Sequence, residues 1–139
     1  MKLVVMDAQG GGMGRLLVEG LKRELPQQPV IAVGTNALAT SAMLRAGADQ
    51  GATGENAVVV CAAQADLILA PIGMVLCDAM LGEVTAAMAC AVGKSPAHKI
   101  LVPVGRCQTT IAGAQKLSMA EAVERAVAEA KARVEGSRA

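Results

Sequence analysis

The chain contains no phenylalanine, tyrosine or tryptophan among its 139 residues. Its core must therefore be built from valine, leucine, isoleucine, alanine and the eight methionines. The absence removes the aromatic platforms on which single-stranded nucleic acids stack. The net charge is +1 and no basic run occurs, so we expect neither a nucleic acid nor an anionic membrane as a partner.

Metal-binding patterns are missing as well. The four cysteines stand 16, 13 and 17 residues apart, no C-x-x-C pair occurs, and His98 is the only histidine. This spacing disfavours a zinc site, and we expect no metal. Single cysteines in an apolar chain are typical of small buried hydrophobic residues. This interpretation, which fits a reduced compartment, applies to Cys61, Cys77, Cys90 and Cys107.

Long uncharged apolar runs are also absent, although 53% of the residues are hydrophobic. Asp66, Asp78 and Glu83 interrupt the most apolar region, and Asp7 interrupts the opening run. Neither a membrane helix nor a signal peptide is predicted. We expect a cytoplasmic protein with one domain over residues 1–135 and a flexible tail over 136–139.

The most informative feature present is a glycine-rich turn near the start of the chain. A short apolar run over residues 2–7 predicts a buried strand, and an amphipathic pattern over 13–25 predicts a helix that ends at Pro26. Glycines between them allow a sharp turn and a close approach of ligand, and the helix start attracts anions. The turn predicts a phosphate or nucleotide site formed by Gly10, Gly11, Gly12, Met13 and Gly14.

The spacing of these glycines departs from the dinucleotide fingerprints. A G-x-G-x-x-G motif that begins at Gly10 would need glycine where Arg15 stands, and the short-chain dehydrogenase turn would need glycine where Ala8 stands. The second predicted strand is followed by Gly34, Thr35 and Asn36 rather than by an acidic residue. With no catalytic tyrosine either, a conventional dehydrogenase is disfavoured. NAD(P) or another nucleotide stays open, as does a tight turn that only packs the helix on the sheet.

Further strands and helices alternate along the chain. Strands are predicted over 29–34, 66–70 and 99–104, with a short edge strand over 107–112. A polar, glycine-rich stretch over 47–56 is predicted as largely irregular. Helices are predicted over 37–46 with Asn36 as N-cap, from Gly82 to about 92, and after Ser118, which forms a capping box with Glu121. A helix over 55–63 with Thr53 as cap is preferred to the alternative, a strand over its apolar run 58–61.

This order predicts a three-layer α/β sandwich with a mainly parallel sheet of four to five strands, Rossmann-like in type. Ligands of such sheets bind beyond the carboxyl ends of the strands, at the point where strand order reverses. Polar and glycine residues gather at these ends, in segments 7–14, 34–36, 71–73 and 105–106. Thr35 and Asn36 are candidates for polar ligand contacts or simply for capping. Pro71 and Gly73 are expected to line the site, and Arg106 to contact an anion or solvent.

Four carboxylates are candidates for acid–base chemistry: Asp7, Glu55, Asp78 and Glu83. Asp7 closes the first strand beside the turn, where it is positioned either for catalysis or to accept backbone N–H groups. Glu55 and Glu83 are expected in the first turns of helices, where a carboxylate complements the helix dipole. No catalytic set follows from these residues alone.

Several segments together resemble a small bacterial family of uncharacterised proteins, the DUF3842-like family. They are DAQGGGMG at 7–14, GTNALATSAMLRAGADQGATGEN at 34–56, PIGMVLCDAMLGE at 71–83 and the closing capped helix. Ala8 and Ala70 stand where the family pattern has glycine. The resemblance spans nearly the whole chain and implies a Rossmann-like nucleotide-binding fold, without a defined activity.

The sequence thus favours a protein that binds a nucleotide or another phosphorylated small molecule. The first alternative is a small lyase, transferase or reductase that uses Asp7 or Glu83 as general base. The second is a non-catalytic, oligomeric regulatory protein. The apolar segment 74–92 and the alanine-rich last helix predict a homo-oligomer, a dimer in the simplest case.

Overall fold

The computed structural model describes residues 1–103, 108–114 and 116–139. Five parallel strands form one sheet in the order β3-β2-β1-β4-β5. The predicted Rossmann-like, three-layer α/β class is confirmed. The strands are β1 Leu3–Asp7, β2 Val30–Gly34, β3 Gln50–Thr53, β4 Leu67–Pro71 and β5 His98–Val102.

Helices cover both faces of the sheet. Strand β1 is buried along its whole length, with Leu3 and Val5 on one face and Val4 and Met6 on the other. The first face packs against α1, α2 and α5, and the second against α3 and α4. The helices are α1 Gly12–Glu24, α2 Ala37–Arg45, α3 Glu55–Gln64, α4 Ala86–Lys94 and α5 Met119–Arg138, and a 3₁₀ turn, Ile72–Val75, follows β4.

The strand order reverses next to β1. From β1 the chain adds β2 and then β3 on one side, and it returns to the other side of β1 to add β4 and β5. In sheets of this type, ligands bind beyond the carboxyl ends of the strands that flank the reversal, here β1 and β4. This switch point lies where the glycine-rich turn begins.

Two predictions about the middle of the chain are wrong. Residues 50–53, expected to be irregular, form the edge strand β3, which pairs with β2 from Ile31↔Gln50 to Gly34↔Thr53. Thr53 does not cap α3, because Gly54 occupies the N-cap and the Thr53 hydroxyl instead hydrogen-bonds that of Thr40 at 2.7 Å.

The later segments differ from expectation as well. Helix α4 begins at Ala86, capped by Thr85, because Gly82 has a left-handed φ of 85° that no α-helix continues. Residues 108–112 form no strand, and Cys107 lies outside the described residues. The interpretation of the cysteines as buried is wrong for Cys77 and Cys90, which are exposed, and Cys61 is half-buried. The last helix starts at the predicted Ser118 cap and continues through Arg138, into the segment expected to be a tail. In the described part of the chain, no helix combines the length and apolar character needed to span a membrane.

Candidate functional site

The turn between β1 and α1 is short and tightly folded. The Gly11 N–H donates to the Ala8 carbonyl at 3.0 Å, and helix α1 starts at the next residue. Gly11 itself has a φ of +74°, in the left-handed region that favours glycine. The turn thus delivers the N-terminus of α1 directly to the switch point.

The four glycines of the turn divide into two kinds. A Cβ on Gly11 would lie 2.9 Å from the Ala39 backbone of α2, and one on Gly14 would lie 2.8 Å from the Asp7 Cβ. These two positions are glycine because the helix packs closely there. For Gly10 and Gly12, by contrast, no described atom lies within 4 Å of the corresponding Cβ position. Close packing therefore explains two of the four glycines, whereas the Cβ positions of Gly10 and Gly12 are open.

The backbone N–H groups of the turn are the second feature of interest. Within the described residues, the N–H groups of Gly10, Gly12 and Met13 have no hydrogen-bond partner. Gly12 and Met13 belong to the first turn of α1, where N–H groups lack intrahelical acceptors. The positive end of the helix dipole adds to their attraction for an anion.

The carboxylate of Asp7 holds the turn through two backbone hydrogen bonds. This buried carboxylate accepts hydrogen bonds from the Gly14 N–H at 2.6 Å and the Ala8 N–H at 2.8 Å. Burial raises the pKa of Asp7 despite these two bonds, which lower it, and the nearby charge of Glu83 raises it further. With one backbone donor on each oxygen, Asp7 holds β1 and α1 together.

Glu83 reaches the turn from the other side of the switch point. It follows β4 in the chain, yet its Oε1 accepts hydrogen bonds from the Gln9 N–H at 2.7 Å, the Thr35 hydroxyl at 2.6 Å and the Asn36 Nδ2 at 2.5 Å. Partial burial alone would raise the pKa of Glu83, but these three bonds outweigh it and the pKa lies below its ordinary value. The side chain is therefore ionised at neutral pH.

The two oxygens of Glu83 are in different situations. All three protein donors meet at Oε1, whereas Oε2 accepts no hydrogen bond from any described residue. Neither oxygen is buried without a partner. The carboxylate is thus fixed in place while one oxygen remains available.

Asn36 combines the two roles proposed for it. Its Oδ1 accepts from the Ala39 N–H at 2.9 Å and so caps α2, while its Nδ2 donates to Glu83 and to the Gln9 carbonyl at 3.0 Å. Thr35 contributes its hydroxyl to Glu83, and its N–H donates to the Asp7 carbonyl at 3.0 Å. The loops after β1, β2 and β4 are joined through these contacts.

The loop that carries Glu83 has an unusual backbone. Asp78, Met80 and Leu81 have φ values of 66°, 57° and 59°, and Gly82 follows with 85°. Left-handed residues other than glycine each cost about 1–2 kcal/mol. Hydrogen bonds across the loop, such as Asp78 N–H to the Val84 carbonyl at 2.8 Å, hold it in this form. Strain of this kind is commonly found next to functional sites.

Only some of the remaining predicted site residues lie at the carboxyl edge of the sheet. Gly34 ends β2, where Thr40 and the Asn36 carbonyl leave no room for a side chain. Pro71 ends β4, and Gly73 is buried in the following 3₁₀ turn at the same sheet edge. Glu55 is exposed in the first turn of α3, as expected, but Glu83 is not in a helix. Gly105 and Arg106 lie outside the described residues.

Two contributors were missed by the sequence reasoning. Gln9 supplies a backbone N–H and a carbonyl to the site, so its side-chain type carried no signal. Thr40 is buried and its hydroxyl contacts the Gly34 N–H, the Asn36 and Ala52 carbonyls and Thr53. Its position among the mostly apolar residues of α2 was the one feature of the sequence that could have indicated a buried hydroxyl there.

Fold and site together define a Rossmann-like α/β protein with an open glycine-rich turn at its switch point. The chain belongs to the family described as "Domain of unknown function (DUF3842)", whose model matches residues 2–135. The comparison with curated proteins and the comparison with solved structures each find no match.

Proposed function

We propose that the protein binds a nucleotide or another phosphorylated small molecule at the carboxyl edge of its sheet. The supporting observation is that the Cβ positions of Gly10 and Gly12 are open and that the N–H groups of Gly10, Gly12 and Met13 have no partner among the described residues. Neither feature is needed for packing. Both are what a phosphate group needs at a helix N-terminus.

The charges near the turn narrow the class of ligand. Glu83 is ionised and Asp7 lies directly behind the first turn of α1, so a small free anion meets two carboxylates. Electrostatic repulsion from them opposes the attraction of the helix dipole. Free phosphate should therefore bind weakly, and affinity must come from a larger body attached to the phosphate.

The enzymatic alternative receives less support from this geometry. Both oxygens of Asp7 are engaged by backbone N–H groups, and the lowered pKa of Glu83 makes it a weak base at neutral pH. An effective general base has a pKa near the working pH. The predicted homo-dimer stays a prediction, to be checked by light scattering.

A thermal-shift screen tests the proposal. The probes are AMP, ADP, NAD, NADP, FMN and sugar phosphates, each at millimolar concentration with inorganic phosphate for comparison. A ligand present at 100 times its Kd stabilises the folded state by about 2.7 kcal/mol. For a chain of this length we expect a rise in Tm of roughly 8–10 °C.

Two matched variants locate the binding. Gly12→Val fills the space in front of α1, whereas Gly93→Val makes the same change at an open helical position just before β5, at the other sheet edge. We expect the ligand-induced shift to be lost in Gly12→Val and kept in Gly93→Val. The proposal is wrong if no phosphorylated probe stabilises the chain, or if Gly12→Val keeps the full shift.

A further inference from the structure

We propose that Oε2 of Glu83 accepts hydrogen bonds from a vicinal diol, so that the ligand is a ribonucleotide with free 2′ and 3′ hydroxyls. This inference rests on the proposed function and adds a specificity-determining residue to the same site. It assigns the sugar to Glu83 and leaves the phosphate to the turn at Gly10 and Gly12.

The first argument is the asymmetry of the carboxylate. Three donors at 2.5–2.7 Å saturate Oε1, and Oε2 is open toward solvent without a partner in the described residues. A carboxylate offers about four acceptor positions in total. A hydroxyl pair supplies the donors that this remaining oxygen lacks, whereas a phosphate group supplies none.

The second argument is the place that Glu83 reaches. In dinucleotide-binding sheets, an acidic residue after the second strand holds the ribose hydroxyls. Here the chain has Gly34, Thr35 and Asn36 at that point, and no acid. The side chains of Thr35 and Asn36 hold the carboxylate of Glu83 beside the end of β2. Glu83, from the loop after β4, thus places its carboxylate near the end of β2, where dinucleotide-binding sheets carry their acidic residue.

The third argument is that Glu83 leaves unoccupied, among the described residues, the backbone N–H groups that would bind the phosphate. If Glu83 were an internal substitute for the ligand's phosphate, its carboxylate would occupy the donors at the helix start. It takes the N–H of Gln9 but leaves those of Gly10, Gly12 and Met13 unpaired within the described chain. Sugar and phosphate sites are therefore adjacent and separately available.

A phosphate on the 2′ oxygen does not fit this arrangement. It would replace a hydroxyl donor with a group of like charge opposite the ionised carboxylate. The site should therefore discriminate against 2′-phosphorylated ligands as well as against sugars that lack the diol.

The test compares three probes that share the 5′-phosphate: AMP, its 2′,3′-dideoxy analogue, and adenosine 2′,5′-bisphosphate. Their Kd values are measured by calorimetry for the natural chain and for Glu83→Gln. Glutamine satisfies the three donors with its amide oxygen, so the loop keeps its contacts and the amide NH₂ replaces Oε2. The control is Glu129→Gln, which removes an equal charge from an exposed pair with Arg133 on α5.

We expect the natural chain and Glu129→Gln to prefer AMP over the dideoxy analogue by about tenfold or more, the usual effect of a hydrogen bond to a charged group. In Glu83→Gln this preference should fall to about threefold or less, and the bisphosphate should gain affinity. An unchanged preference in Glu83→Gln, or no preference in the natural chain, overturns the inference. An equal gain in affinity for all three probes in Glu83→Gln, with the preference for AMP kept, also overturns it, because Glu83 would then act on the ligand only through its charge.

Failure of this inference can be told apart from failure of the proposed function. If none of the three adenosine probes binds, the inference is wrong. The proposed function still stands when another phosphorylated probe stabilises the chain and Gly12→Val abolishes that effect. It is wrong as well when no phosphorylated probe binds.

Discussion

Two glycines in the first turn of α1 should respond in opposite directions to the same substitution. Gly12 and Gly14 are two residues apart, and both are helical. A Cβ on Gly12 meets open space, whereas one on Gly14 would lie 2.6 Å from the Met43 Sδ and 2.8 Å from the Asp7 Cβ. Gly12→Ala should therefore stabilise the protein, and Gly14→Ala should destabilise it.

The magnitudes follow from two opposing effects. Replacement of a helical glycine by alanine gains roughly 0.5–1 kcal/mol in an unstrained position. Overpacking in a filled core costs typically about 1–3 kcal/mol. Asp7 cannot move away from Gly14, because β1 is paired with β2 on one side and β4 on the other, and Met43 is fully buried. We expect Gly12→Ala to be more stable than Gly14→Ala by about 2 kcal/mol.

Urea unfolding followed by far-ultraviolet circular dichroism measures this difference, since the chain has no aromatic residue for fluorescence. The linear dependence of the unfolding free energy on urea concentration gives the stability of each variant. The two variants should also differ by roughly 6–8 °C in Tm. Equal stabilities for Gly12→Ala and Gly14→Ala would refute the reasoning, because the close contact with Asp7 would then carry no energetic cost.

Three further predictions concern other parts of the molecule. Leu81→Gly should raise the unfolding free energy by about 1 kcal/mol, because it relieves a left-handed φ at a fully exposed side chain; a loss of stability in urea would contradict this. Ser118→Ala should cost about 1 kcal/mol in the same assay, since the Ser118 hydroxyl accepts the Glu121 N–H at 3.1 Å, and Ser118→Asp should restore it. Because the pKa of Glu83 is lowered in the folded state, its contribution to stability is present above its ordinary value of 4.5 and is lost as pH falls through the lowered value. The difference in unfolding free energy between the natural chain and Glu83→Gln should therefore shrink as the pH is lowered from 6 to 3, and a constant difference would contradict this assignment.

Much of the fold follows from local sequence patterns. The strand Leu3–Asp7 is continuously apolar up to its last residue because helices cover both of its faces, and Asn36 and Ser118 cap helices at the predicted positions. The edge strand Gln50–Thr53 could not be predicted in this way. Its four residues, QGAT, carry no large hydrophobic side chain and are largely exposed, and it is a strand only because its backbone pairs with β2.

Only the part of the candidate site that is formed by residues close together in the sequence could be predicted. The turn at 10–14 combines a strand, glycines and a helix within a few residues, so its pattern is visible in the sequence. The bonds from Thr35 and Asn36 to Glu83 join residues 48 and 47 positions apart. No periodicity or spacing encodes such a contact, because it depends on the strand order, which places β4 beside β1, and on the loop after β4 reaching across β1 to the residues that follow β2.

The convergence of three donors on one oxygen of Glu83 has an evolutionary consequence. Gln9 contributes through its backbone, so this donor survives almost any replacement of the residue. The other two donors are the side chains of Thr35 and Asn36, which lose their shared acceptor if position 83 becomes apolar. Relatives that keep threonine at 35 and asparagine at 36 should therefore also keep a side chain with an acceptor oxygen at position 83.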